Sequence, residues 1–190
     1  MTDEERKFVS RGGLKLDGAL SDFGLDVSRL TAADFGCNVG GFTDCLLQRG
    51  AGKVHAIDTG YGDLAWTLRK DDRVVVHERT NALHLEPVEP VDLVVLDMSW
   101  TPLHLGVPQA AKWLKPDCLG IVALLKPHYE YAKLHKKKLH RTLTSEEAEQ
   151  VRTDVCERLD ELGFEVRSTT RCRIKGKGGN REFLLWLVPR

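Results

Sequence analysis

The 190-residue sequence predicts an α/β fold: an open sheet, wound on both faces, whose strands are mostly parallel and whose last strand runs antiparallel. Three observations predict it. Apolar segments of strand type alternate with segments of helical type along the chain. Most strand segments are rich in Val, Ile and Leu without clean alternation, as in strands buried on both faces. The last two strand segments are joined by Lys175-Gly176-Lys177-Gly178-Gly179-Asn180, a turn-rich connection with no room for a crossover helix, so they form an antiparallel hairpin.

Strands are expected at residues 30–35, 53–58, 73–77, 91–97, 119–125, 164–174 and 182–188. Helices are expected at 13–23, 42–48, 64–69, 105–114 and 145–162. The last is the best marked: Thr144-Ser145-Glu146-Glu147 reads as a capping box, and Gly163 closes the far end. Residues 133–143 form the one long irregular segment, read as a mobile loop. No repeat, linker or low-complexity stretch divides the chain, so residues 1–190 are expected to form one domain. Five alternating units followed by an antiparallel seventh strand are the plan of the class I methyltransferases, a Rossmann-like fold. An NAD-binding fold usually ends in a parallel strand.

Composition narrows the class. Apolar content is 42% and charged content 29%, ordinary for a soluble protein. No apolar run approaches the ~20 residues of a membrane span, and the polar start lacks the apolar stretch of a secretion signal. Cys37, Cys45, Cys118, Cys156 and Cys172 have no CxxC or Cys/His ligand spacing. Reduced thiols in a cytoplasmic setting are therefore expected, with no metal site and no membrane partner. Cys37 and Cys45 read as small packing residues.

Net charge is zero but unevenly spread. Residues 17–125 carry 9 basic and 15 acidic side chains, whereas residues 126–190 carry 15 and 10. Residues 133–141 hold five basic residues and residues 167–181 hold six, both without an acid. Such runs are often no more than a solvated face. Here they flank Lys126 and Glu182, which suggests a rim that contacts phosphates.

The first strand leads into Asp34-Phe35-Gly36-Cys37-Asn38-Val39-Gly40-Gly41-Phe42. Glycines at such a turn let backbone amides approach a ligand, and the helix that follows favours negative charge. The spacing is not that of the G-x-G-x-x-G dinucleotide fingerprint. Asp58 ends the second strand, 22 residues after Gly36, where an acid can accept from both hydroxyls of a ribose. Asn81, after the third strand, either reaches an adenine edge or shapes a turn. S-adenosylmethionine fits these features better than NAD, since it has a ribose but no pyrophosphate. The expected cofactor-binding residues are Gly36, Cys37, Asn38, Gly40, Gly41, Phe42, Asp58, Thr59, Asn81 and Asp97.

Asp97 ends the fourth strand and Lys126 the fifth, the edge where doubly wound sheets place ligands. A lysine leaving an apolar strand and followed by Pro127 is not in an ordinary solvated setting. Burial and a neighbouring carboxylate act on its proton affinity in opposite directions. Lys126 is thus a candidate to accept the proton of a ribose hydroxyl during methyl transfer, with Asp97 holding it and Lys15 and Glu182 orienting the hydroxyl or the lysine. The competing reading is a plain Lys126–Asp97 salt bridge. Trp66 and Trp113 read as core residues, and Trp100 as core or a base-stacking platform.

Val9-Ser10-Arg11-Gly12-Gly13-Leu14-Lys15-Leu16, Gly40-Gly41-Phe42-Thr43-Asp44-Cys45-Leu46-Leu47-Gln48, the run from Asp58 to Trp66, Glu78-Arg79-Thr80-Asn81 and the run from Gly179 to Phe183 closely resemble the TlyA family. These are FtsJ-like, S-adenosylmethionine-dependent ribosomal RNA 2′-O-methyltransferases, some of them labelled haemolysins. The resemblance runs from about Phe8 to Val188. It implies a Lys-Asp-Lys-Glu tetrad on Lys15, Asp97, Lys126 and Glu182, a methyl-donor pocket around the glycine turn, Asp58, Asn81 and Asp97, and ribosomal RNA within a ribosomal subunit as partner. Members usually carry an amino-terminal S4-type RNA-binding domain, and this sequence starts where that domain would end. It also has Asp97-Met98-Ser99-Trp100 for Asp-Val-Ser-Phe, Lys126-Pro127-His128-Tyr129-Glu130 for Lys-Pro-Gln-Phe-Glu, and Arg173 in place of a proline. A non-catalytic RNA-binding or ribosome-assembly factor is the alternative, against which Asp58 and the complete tetrad argue. A base methyltransferase fits less well, because Asp97-Met98-Ser99-Trp100 is not the Asn/Asp-Pro-Pro-Tyr of adenine amino enzymes.

Overall fold

The structure, a computed structural model, describes residues 7–99, 101–134 and 141–190. Trp100 and most of the 133–143 segment, with the central lysines of its basic run, therefore lie outside the described residues. The elements follow one another as α1 (Gly12–Phe23), β1 (Thr31–Phe35), α2 (Gly41–Gln48), β2 (Lys53–Ile57), α3 (Trp66–Arg69), β3 (Val74–His77), β4 (Leu93–Leu96), α4 (Leu103–Ala111), β5 (Gly120–Leu125), α5 (Pro127–Leu134), α6 (Ser145–Glu161), β6 (Phe164–Arg171) and β7 (Phe183–Pro189), with a short 3₁₀ turn at Lys177–Gly179.

The seven strands form one sheet in the order β3-β2-β1-β4-β5-β7-β6. The first five in that order are parallel, and β7 runs antiparallel to both β5 and β6. This is the expected plan, including the closing hairpin.

Strand β4 shows why the interior strands read as unbroken apolar runs. All four of its residues are buried, with Leu93 and Val95 packed into the layer beneath α1 and α2, and Val94 and Leu96 into the layer beneath α4 and α6. Side chains alternate between faces, and both faces are covered. Leu16, Leu20 and Leu46 fill the first layer; Phe35, Trp113 and Leu159 fill the second. Phe35 and Trp113 meet edge to face, their ring centroids 5.6 Å apart.

Helix α6 carries the capping box that its sequence announces. Glu147 N–H donates to Thr144 Oγ1 at 3.2 Å, and Thr144 N–H donates to Glu147 Oε2 at 2.8 Å. Gly163 follows with φ 88°, closing the helix in the left-handed conformation.

Four expectations require correction. Helix α5 was not anticipated: Pro127 is its only buried residue, so it has no apolar stripe to read, although proline suits the first helical position. Strand β6 ends at Arg171 instead of 174, and α4 begins two residues early, at Leu103 after Pro102. Trp66 is no core residue. It opens the four-residue α3 and is 68% exposed, with Lys70 Nζ 4.8 Å from its ring centroid. One helical turn is too short to roll both Leu68 and Trp66 inward, and Leu68 takes the core position.

Candidate functional site

The order of the sheet reverses between β1 and β4, so the loops leaving their carboxyl ends diverge and open a crevice. Gly36 sits in that crevice with φ 86°. A Cβ there would lie 2.6 Å from the carbonyl oxygen of Asp97, so glycine is required by both backbone conformation and contact. The turn is pinned by Gly36 N–H and Cys37 N–H, both donating to Ile57 O. Beyond it a cavity of about 890 Å³ opens along the sheet edge.

Most expected cofactor residues line this cavity: Gly36, Cys37, Asn38, Gly41, Phe42, Asp58, Thr59, Asn81 and Asp97. Gly40 does not. Its backbone turns at φ 101° to start α2, and its Cα faces Leu64 and Leu68, where a Cβ would meet Leu68 at 2.3 Å. Its glycine therefore serves packing against α3 and not the cavity wall. Asp58 accepts from Asn38 N–H at 2.9 Å and from Gly60 N–H at 2.7 Å, which ties the two cavity loops together. Asn81 accepts from Leu83 N–H at 3.0 Å through Oδ1. It shapes a turn and faces the cavity at the same time.

All four tetrad candidates also line the cavity, joined as two ion pairs. Lys126 pairs with Asp97, and Lys15 with Glu182. The β5–β7 register brings the second half together. Leu125 is paired with Phe183, so Lys126 leaves one strand where Glu182 enters its antiparallel neighbour. Leu96 pairs with Ala123 across β4 and β5, which sets Asp97 on the same edge. Lys15 reaches in from α1. Glu182 is only 4% exposed and Lys15 11%. Gly176 makes room above: a Cβ there would lie 2.1 Å from Glu182 Oε1. Buried ion pairs contribute little net stability, since desolvation offsets attraction. Two of them side by side in a cavity point to chemistry more than to folding.

Three acids, Asp34, Asp58 and Asp97, lie close enough around the glycine turn to act on one another. Asp34, fully buried on β1, has its pKa raised to about 7, chiefly by burial; the hydrogen bond from Thr43 opposes this, and the charges of Asp97 and Asp58 add to it. Burial and the same neighbourhood of Asp34 and Asp58 push the Cys37 thiol up. Burial takes Cys45 to about 12. Both thiols are inert packing groups, as expected.

Several cavity residues escape sequence reasoning as site residues, among them Ser10, Arg11, Met98, His128, Tyr129 and Lys175. His128 and Tyr129 were legible only as neighbours of Lys126. Arg11 Nη2 donates to Lys175 O at 3.0 Å, a contact across 164 residues of sequence that nothing local signals. Three of the six basic residues at 167–181 are engaged: Arg167 pairs with Glu165, Arg171 with Glu149 and Arg173 with Asp22. Of that run, Lys175 reaches the cavity.

Comparison with known proteins agrees with this fold. The profile of the FtsJ-like methyltransferase family matches residues 8–188. The chain is 41% identical to the 16S/23S rRNA (cytidine-2′-O)-methyltransferase TlyA of Mycobacterium tuberculosis, covering 98% of this chain and 70% of that protein. It is 34% identical to Hemolysin A of Brachyspira hyodysenteriae, covering 96% and 77%. Among solved structures, a putative hemolysin from Streptococcus thermophilus superposes with a TM-score of 0.85 at 37% identity, covering 96% of this chain and 67% of that one. No described helix is long and apolar enough to cross a membrane.

Proposed function

Because the chain belongs to the FtsJ-like methyltransferase family, we infer that it is an enzyme that transfers a methyl group from S-adenosylmethionine to a ribose 2′-hydroxyl of ribosomal RNA. The observation that carries this reading is the meeting of two ion pairs, Lys126–Asp97 and Lys15–Glu182, on the wall of the cavity that the glycine turn opens. The relatives named for ribose methylation of ribosomal RNA support the acceptor class. Ribosomal RNA as acceptor also fits the expected cytoplasmic setting.

The residues present suit the donor. S-adenosylmethionine supplies an electrophilic methyl group on a positively charged sulfur. Asp58 and Asp97 line the cavity beside the glycine turn, carboxylates that suit a ribose and a positively charged sulfur better than a pyrophosphate. The bare backbone at Gly36 lets a ligand lie close against the turn. Asp58, after its two backbone bonds, retains lone pairs for ribose hydroxyls.

In this reading Lys126 Nζ, as the free amine, takes the proton from the acceptor hydroxyl while that oxygen bonds to the methyl carbon and the carbon–sulfur bond of the donor breaks. Asp97 fixes Nζ in place and balances its charge. Lys15 and Glu182 hold the hydroxyl and its ribose in line, and such orientation supplies much of the acceleration in a two-reactant displacement. Lys175 and Arg11, at the mouth, provide cations for the phosphates on either side of the acceptor.

Incubation with labelled S-adenosylmethionine and unmodified ribosomal subunits, followed by nucleoside analysis, tests the reading. Label on a ribose is the expected result. Label on a base, or on nothing, overturns it, the latter in favour of an RNA-binding or assembly role.

A further inference from the structure

Pro127 ends the extended run of β5 and starts α5 in one step, because its fixed φ suits the first helical position. The first turn of α5 consequently throws residues 128 and 129 towards the cavity that Lys126 borders. Both line it. Their rings lie against each other, centroids 4.0 Å apart and tilted by 40°. Tyr129 also faces Lys126, whose Nζ is 5.9 Å from its ring centroid.

His128 Nδ1 is sealed from solvent and has no hydrogen-bond partner among the described residues. A ring nitrogen in that state is costly, and a functional role is one of the recognised reasons for such an exception. The charges that act on the ring are Glu182 and Lys126, of opposite sign, and burial, the largest influence, lowers its pKa. The imidazole is therefore neutral near pH 7, with one nitrogen as donor and the other as acceptor.

Its place in the cavity decides what completes it. The donor half is built by the turn at Gly36, by Asp58 and by Asn81; His128 lines the same cavity and belongs with Lys126 and Glu182, whose charges act on its ring. We propose that His128 is an acceptor-binding residue: a turn of its imidazole about χ2 brings the unpartnered Nδ1 from its buried edge to the cavity, where it hydrogen-bonds the sugar of the target nucleotide beside the hydroxyl that receives the methyl group. Tyr129 holds the imidazole ring in the orientation this requires. The proposal rests on the ribose-methylating reading of the cavity.

Three variants of the full chain test it: His128→Ala, His128→Phe and His128→Asn. Phenylalanine keeps a ring against Tyr129 but has no polar atom, whereas the asparagine amide reaches the position of Nδ1. With ribosomal subunits as acceptor, Ala and Phe should raise KM for the subunit about two- to tenfold, the worth of one hydrogen bond. Asn should stay within about twofold of wild type. The Kd for S-adenosylmethionine, measured by calorimetry, should be unchanged in all three, which also shows that the variants fold. A His128→Phe enzyme with wild-type KM overturns the proposal, as does a loss of donor affinity that tracks the loss of acceptor affinity. Failure of the underlying reading looks different: wild-type protein itself then places no label on ribose, and the proposal falls with it.

Discussion

Lys126 and Glu182 stand side by side because Leu125 and Phe183 are partners across the antiparallel β5–β7 ladder. An antiparallel strand enters the sheet at the edge where its parallel neighbours leave it. The last strand of the fold thus delivers a carboxylate to the carboxyl ends of β4 and β5, where Asp97 and Lys126 already lie. A parallel seventh strand would have put Glu182 at the opposite edge.

Lys126→Ala should lower methyl transfer by about 10²–10⁴-fold, the range of a lost general base. Calorimetry with S-adenosylmethionine should give a nearly unchanged Kd, since the glycine turn and Asp58 remain. Donor binding that falls in step with activity would contradict the role given to Lys126.

Lys15→Met leaves Glu182 buried without its cation and should cost about 3 kcal/mol of stability in denaturant unfolding. The double variant Lys15→Met/Glu182→Leu removes both charges and should recover most of that loss while staying inactive. Recovery of activity along with stability would mean that the pair serves folding alone.

Gly36→Ala should both destabilise the fold by about 1–3 kcal/mol and weaken donor binding, since φ 86° and the 2.6 Å approach to Asp97 O are incompatible with a Cβ. Gly24→Ala is the control. It has φ 65° but open space around it, so it should show backbone strain with donor binding intact.

Asp34 titrates near 3.8 when exposed and at about 7 in the folded chain. The folded state therefore holds an extra proton between those values, and its contribution is fully present below pH ~4 and lost as pH rises through about 7. Asp34→Asn, which mimics the protonated acid, should match wild type below pH ~4 and exceed it by a few kcal/mol at pH 8. Chemical denaturation at the two pH values measures the difference. A gap that is equal at both would place the Asp34 proton affinity elsewhere.

The sheet, its parallel strands and the closing hairpin were all legible in the sequence, because burial on both faces writes continuous apolar runs and a six-residue turn leaves no room for a crossover. So was the capping box of α6, a purely local device. The residues of the candidate site were legible as a group through their positions at or beside the ends of predicted strands and helices. Their pairing was not. Lys15 meets Glu182 across 167 residues, and only the order of the strands and the β5–β7 register decide that such groups converge. Tertiary structure likewise decided that Gly40 faces Leu64 and Leu68, that Trp66 is exposed, and that acids from α1 and α6 engage Arg173 and Arg171. Local periodicity records which residues prefer burial or a turn; the direction in which a side chain points, and what meets it there, is set by packing between segments distant in the chain.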